Sequence, residues 1–251
     1  MQNKKEIPYL FKLNKDKQFL YYSGIEHSTD PRHKQFDILE DFFEDFIKDS
    51  NREKVVFIEG NEIPIKALLK DRDENIKKLG ERGLVLDLAL KNNINYIYGE
   101  LSFQEEADIL NKEFSQENII YFYITRLICG LLRKNPNKDF EEVFKMAILD
   151  WLNNLNWNKD LFTKEKIKES HKKLFDEEMT SCSIKLIKKV CIPVNEDFSI
   201  INKIARKSSQ TRDKTVLEKI KKEWEKGNSI FIIYGHNHSD RQEPFLRKMC
   251  K

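Results

Sequence analysis

The segment Ser229-Ile-Phe-Ile-Ile-Tyr-Gly-His-Asn-His238 constrains this chain more than any other. Five consecutive apolar or aromatic residues, Ile230 to Tyr234, rich in β-branched side chains, predict a strand buried on both faces. Gly235 ends the run and permits a sharp turn or a close approach to a ligand. In extended chain His236 and His238 point to one side, because side chains alternate with period two, and two imidazoles at a strand end can hold one metal ion. A pair of exposed loop histidines is the plainer alternative.

The same design recurs along the chain. Residues 8–13 and 18–23 are strand-like and joined by the polar link Asn14-Lys-Asp-Lys17, of hairpin length. The second run leads into Gly24-Ile-Glu-His27, again a strand, a glycine and a histidine. Ser28-Thr-Asp-Pro31 supplies capping residues, and Phe36, Leu39, Phe42, Phe43 and Phe46 follow at helical spacing, which predicts a helix over roughly 32–49. Lys54-Val-Val-Phe-Ile-Glu-Gly60 is a further strand closed by glycine, with Glu59 at its carboxyl end. A strand, helix and strand in succession build a parallel pair, and ligands of open α/β sheets collect beyond the carboxyl ends of the strands. Gly24–His27 and Glu59 are therefore expected on one rim. Gly80-Glu-Arg-Gly83 precedes a helical run, and Ile94-Asn-Tyr-Ile-Tyr-Gly-Glu100 is a strand that again ends in glycine and a carboxylate.

From Ser102 to about Lys189 the period turns helical. Ser102-Phe-Gln-Glu105 reads as a capping box and Asp139-Phe-Glu-Glu142 as another acidic helix start. With few Gly and Pro in its 251 residues and no linker-like tract, the chain is expected to be a single α/β domain, 1–251. Its mixed sheet is flanked by helices, with 102–190 as an inserted helical lobe. His171, in Lys-Glu-Ser-His-Lys-Lys, is expected on a solvated helix face, and His33 at the exposed start of the first helix. Residues 199–227 resume as helix, with Arg212 and Asp213 at what reads as a helix start.

Charge and targeting exclude several classes. Lys and Arg number 45 against 42 Asp and Glu, so the net charge of +3 makes no case for nucleic acid. The longest apolar-looking stretch, Asn118 to Leu132, is interrupted by Arg126 and is shorter than the roughly 20 residues that cross a bilayer, which predicts a core helix, and the N-terminus lacks a signal-peptide pattern. Cys129, Cys182, Cys191 and Cys250 form no C-x-x-C pair, which fits thiols in a reducing compartment. A cytoplasmic protein without a membrane partner is the expectation.

Gly24-Ile-Glu-His27, Val56-Phe-Ile-Glu59, Thr211-Arg-Asp213, Gly235-His-Asn-His238 and the tail Glu243-Pro-Phe-Leu246 form a constellation. In order and spacing it resembles the TraB/TIKI group and, more distantly, the erythromycin esterases and ChaN-like proteins. The resemblance covers most of the chain outside 102–190. It implies a metal-dependent hydrolase, or a protein derived from one, acting on an ester or peptide bond of a small-molecule or peptide substrate. His27 and His238 would bind a divalent ion (zinc, manganese or cobalt), Glu59 would serve as ligand or general base, and Arg212 would stabilise negative charge. Glu26, Glu81, Glu100 and His236 are further candidates for ligation or for orienting ligands. A non-catalytic metal- or ligand-binding regulatory protein on the same fold is the alternative. Calcineurin-like phosphoesterases also end in G-H-x-H, but their early D-x-H and internal G-N-H-[DE] are missing here, and a metallo-β-lactamase motif fails at Arg241.

Overall fold

The computed structural model describes residues 6–49, 51–60, 62–193 and 199–251. Over these residues it is an α/β fold with five strands in one mixed sheet and ten α-helices. The chain divides into two compact units, an α/β unit (1–100 and 213–251) and a helical unit (101–212).

In the α/β unit, β1 (Tyr9–Lys15) and β2 (Gln18–Ile25) form an antiparallel hairpin in which Lys15 pairs with Gln18. The turn is therefore tighter than the four-residue link expected. Asp16 and Lys17 both take positive φ, 50° and 65°, the backbone of a two-residue turn whose twist matches that of the strands. β3 (Lys54–Ile58), β4 (Asn95–Tyr98) and β5 (Ser229–Gly235) complete the order β1-β2-β5-β3-β4. From β2 onward every pairing is parallel. β2 and β3 are thus parallel but not adjacent. The last strand in sequence enters between them, since all seven of its residues are buried and only an interior position covers both faces.

Alternation along β5 divides the core. Phe231 and Ile233 pack with Phe36, Phe43 and Phe46 of α1 (Gln35–Asp49) and with Leu84 and Val85 of α3 (Glu81–Lys91). Ile230, Ile232 and Tyr234 face Val216, Ile220 and Trp224 of α9 (Ile200–Glu225) and Leu246 of α10 (Ser239–Met249). Removing a ring such as Phe231, 4.9 Å from Phe43, would cost about 3–5 kcal/mol. α1 starts at Gln35 rather than 32, because residues 30–36 are used in turns closed by Asp30 and His33 carbonyls. Gln35, buried, instead clasps the backbone of Glu26 in both directions, at 2.7 and 3.1 Å, and so fixes the end of β2.

The helical unit holds α4 (Phe103–Leu110), α5 (Gln116–Lys134), α6 (Phe140–Asn154), α7 (Lys164–Phe175), α8 (Ile184–Val190) and the first half of α9 around its own apolar core. Ser102 and Glu105 make the reciprocal capping box that starts α4, and Asp139 caps α6. This unit runs on to Arg212, beyond the 190 of the expected lobe, because Ile200, Ile201 and Ile204 belong to its core. α9 is unbroken, so Arg212 and Asp213 lie mid-helix and not at a helix start. His171 is also not where its neighbours suggested. It is fully buried, with Nδ1 2.6 Å from the Tyr121 hydroxyl and Nε2 3.2 Å from Glu177. No helix among the described residues is long and apolar enough to cross a membrane, and all four cysteines are free thiols.

Candidate functional site

The carboxyl ends of β2, β3 and β5 meet in the α/β unit. His27 follows β2, Glu59 follows β3, and His238 follows β5. His238 Nε2 stands 3.5 Å from Glu59 Oε1, and His27 Nε2 stands 3.9 Å from Glu59 Oε2. The two ring nitrogens thus address the two oxygens of one carboxylate. The structure brings these three residues together from positions more than two hundred residues apart.

Each imidazole is held from behind. His27 Nδ1 lies 2.7 Å from Glu81 Oε1, and His238 Nδ1 lies 2.6 Å from Asp213 Oδ1. A carboxylate only accepts, so each Nδ1 carries the hydrogen and each Nε2 is turned towards Glu59. Asp213 is fixed in turn by Arg241 Nε at 2.5 Å and by Gln242 Nε2 at 3.0 Å. Gln242 accepts from the Tyr22 hydroxyl at 3.1 Å, which ties this chain of bonds to the sheet.

Two glycines make the geometry possible. Gly235 donates its N–H to Glu59 Oε2 at 2.5 Å, and a Cβ in its place would sit 2.9 Å from His27 Nε2 and 3.2 Å from Glu59 Oε2. Gly80, at φ +63°, closes α2 (Arg72–Leu79) and starts α3, and a Cβ there would lie 2.9 Å from the Ser28 carbonyl oxygen. That approach carries Glu81, the first residue of α3, to His27.

Burial works against the charge of Glu59. The His238 ring, the Gly235 N–H and His27 outweigh it and hold the carboxyl down to about 2. Burial likewise lowers His238, yet Asp213 and Glu59 raise it to about 9. Asp213, which burial alone would raise, is held below the ordinary carboxylate range by His238 and Arg241. The Glu81 hydrogen bond raises His27, whose side chain is 61% exposed and whose gain solvent therefore screens.

The remaining candidates make other contacts. His236 does not share a side with His238, because residues 236–238 form a 3-10 turn and not extended chain. Its ring meets Tyr9 edge-on at 6.4 Å, and its Nδ1 is buried without a hydrogen-bond partner. Glu26 is exposed and held through its backbone. Glu100 offers its carbonyl to Lys219 at 3.3 Å. Arg212 is the last residue of the helical unit, where its charge is felt by Tyr123; within the α/β unit, Arg241 is the guanidinium bonded to Asp213. Arg241 and Gln242 fall one helical turn after His238 on α10, a spacing that could have signalled them.

Among the described residues no group of three or more His, Cys, Asp or Glu side chains is drawn together closely enough to hold a metal ion as it stands. The donor chemistry nevertheless fits one. Imidazoles that donate Nδ1–H to a carboxylate and present Nε2 are the usual supporting arrangement of metal-binding histidine. In a tetrahedral centre with bonds of about 2.1 Å, neighbouring donor atoms stand ~3.4 Å apart. The His238–Glu59 separation matches that edge and the His27–Glu59 separation exceeds it.

No family model, curated protein or solved structure matches the chain. The resemblance to the TraB/TIKI group therefore rests on the residues alone.

Proposed function

We propose that the α/β unit carries a metal-assisted hydrolase site, of the kind the TraB/TIKI resemblance implies, that cleaves an ester or peptide bond of a small-molecule or peptide substrate. One observation carries this reading. Two histidines, each with Nδ1 fixed by a buried carboxylate, turn Nε2 onto the two oxygens of Glu59 beyond the ends of parallel strands.

His27, His238 and Glu59 would hold the ion, zinc, manganese or cobalt. Bound there, it would supply Lewis acidity and a nucleophile at neutral pH. Glu81 and Asp213 fix the tautomer and aim of the rings, and Arg241 and Gln242 keep Asp213 ionised and in place. Glu59, held well below the ordinary carboxylate range, is ionised at physiological pH and so could serve as a ligand or, less readily for so weak a base, as the acceptor of a water proton. His27, the most exposed member, is the one a substrate meets first.

The spacing just described favours one further reading, a binding site without turnover, in which Glu59 and protonated His238 form a resting ion pair. Titration of zinc and manganese into the protein, followed by a screen of esters and peptides, separates the two. Saturable metal binding and turnover that both vanish in His27→Ala and His238→Ala support the hydrolase. Metal binding without turnover supports the second reading. Folded variants that keep both binding and turnover would remove the site altogether.

A further inference from the structure

The two edges of the sheet are unlike. On β1 Lys12 and Lys15 stand exposed, and charges of this kind keep an edge from pairing with another chain. β4, the other edge, is Asn95-Tyr-Ile-Tyr98, with no charge, no proline and no buried residue. In a parallel ladder the backbone groups of successive residues point alternately to either side of the strand. Gly99 donates its N–H to the Ile58 carbonyl of β3, so Ile97 is turned to β3 as well, and the N–H and C=O groups of Tyr96 and Tyr98 point outwards. Among the described residues no backbone hydrogen bond meets them there.

The two faces of this edge also differ. On one, a cleft of about 400 Å³ opens between Ile97 and the last turns of α9, walled by Lys219, Lys222, Glu223, Glu225 and Lys226. Its acids are already matched, Glu223 by Lys226 at 2.6 Å and Asn228 at 2.8 Å, and Glu225 by Lys221 at 3.5 Å. Lys219 reaches only the backbone carbonyl of Glu100, at 3.3 Å, and Lys222 is exposed with no carboxylate partner among the described residues. The charge left open in the cleft is therefore positive. On the other face Tyr96 and Tyr98, both partly exposed, meet edge to face at 5.9 Å. We propose that β4 takes up an extended segment of a partner protein as an added strand, one in which acidic and apolar residues alternate. Its carboxylates meet Lys219 and Lys222 across the cleft, and its apolar side chains lie on the tyrosine pair. The period-two alternation of a strand delivers both sets at once, while the outward backbone groups of β4 supply the pairing. The proposal is independent of the hydrolase reading.

The test is the fluorescence anisotropy of a labelled octapeptide of alternating Glu and Val, titrated with the whole chain at low ionic strength. Binding should saturate, and the Kd should rise on the order of tenfold in Lys222→Glu, an exposed position whose change leaves the core intact. Two further peptides separate strand pairing from plain charge attraction, one methylated on its Glu backbone nitrogens and one on its Val backbone nitrogens. Only one of these sets faces β4, so one peptide should bind about tenfold more weakly and the other as the parent does. Equal binding by both methylated peptides, or by a peptide of alternating Lys and Val, overturns the proposal. So does an absent response in the natural chain, or a Kd unchanged in Lys222→Glu. A chain that forms a dimer in sedimentation without peptide and then ignores the peptide would assign the edge to a second copy and overturn it as well.

Discussion

His238 in the α/β unit and His171 in the helical unit are both enclosed and both engaged at each ring nitrogen, yet their pKa values move in opposite directions. His171 has one carboxylate, Glu177, which takes the Nε2 hydrogen, and one hydroxyl, Tyr121, which can donate to Nδ1. A neutral ring satisfies both, so burial lowers its pKa without opposition strong enough to reverse it. His238 has a carboxylate at each end, and only a ring carrying a cation's worth of charge satisfies both. Two acceptors around one imidazole make a site that wants a proton or a metal ion; one acceptor and one donor make a structural histidine. That difference separates the candidate site from the core.

The sharpest way to break the comparison is to remove one acceptor. Asp213→Asn should drop His238 from about 9 to near or below its ordinary 6.5, followed by NMR titration, and should weaken zinc binding about ten- to a hundredfold. A ring that still titrates near 9 would mean that Asp213 does not set its charge.

Stability against pH carries the same contrast. His238 folds with a pKa above 6.5, so its contribution is complete below 6.5 and is lost as pH rises through about 9, on the order of 3 kcal/mol in the metal-free protein. His171 folds with a lowered pKa, so its contribution is present above 6.5 and is lost on acidification. Urea unfolding of the metal-free chain should show the alkaline loss disappear in His238→Gln and the acid loss shrink in His171→Gln. A matching loss in both variants at one end of the range would contradict the assignment.

Gly235→Ala tests the space between the rings. Gly235 has φ −56°, which alanine adopts freely, so the fold should persist at a cost of about 1–3 kcal/mol. The added methyl would displace His27 or Glu59, and metal binding should fall more than stability does. The smallest effect belongs to Glu81→Gln. His27 is largely exposed, so its pKa should fall only modestly and zinc affinity should drop less than in Asp213→Asn.

How much of this could be read from the sequence depended on whether local pattern or tertiary contact set each feature. The strands were legible because apolar runs ended at Gly24, Gly60, Gly99 and Gly235 announce themselves. The caps at Ser102 and Asp139 were legible for the same local reason. The strand order was not, since nothing near 229–235 says that it will divide β2 from β3. Period-two reasoning misplaced His236, because the chain turns into a 3-10 coil at Gly235. Arg212 and Asp213 looked like a helix start because the polar stretch 206–215 interrupts the apolar stripe of one long helix. His171 was disguised by its lysine neighbours, although Ile167, His171 and Phe175 at four-residue spacing share one face. That stripe was the signal.

The central claim is that the Nε2 atoms of His27 and His238 serve one centre at Glu59. Nitrogen NMR of the histidine rings during zinc titration tests it most directly. The account predicts that both Nε2 resonances shift together, with one saturation curve, while His171 stays unchanged. Zinc that leaves both rings untouched, or that moves one without the other, would contradict it.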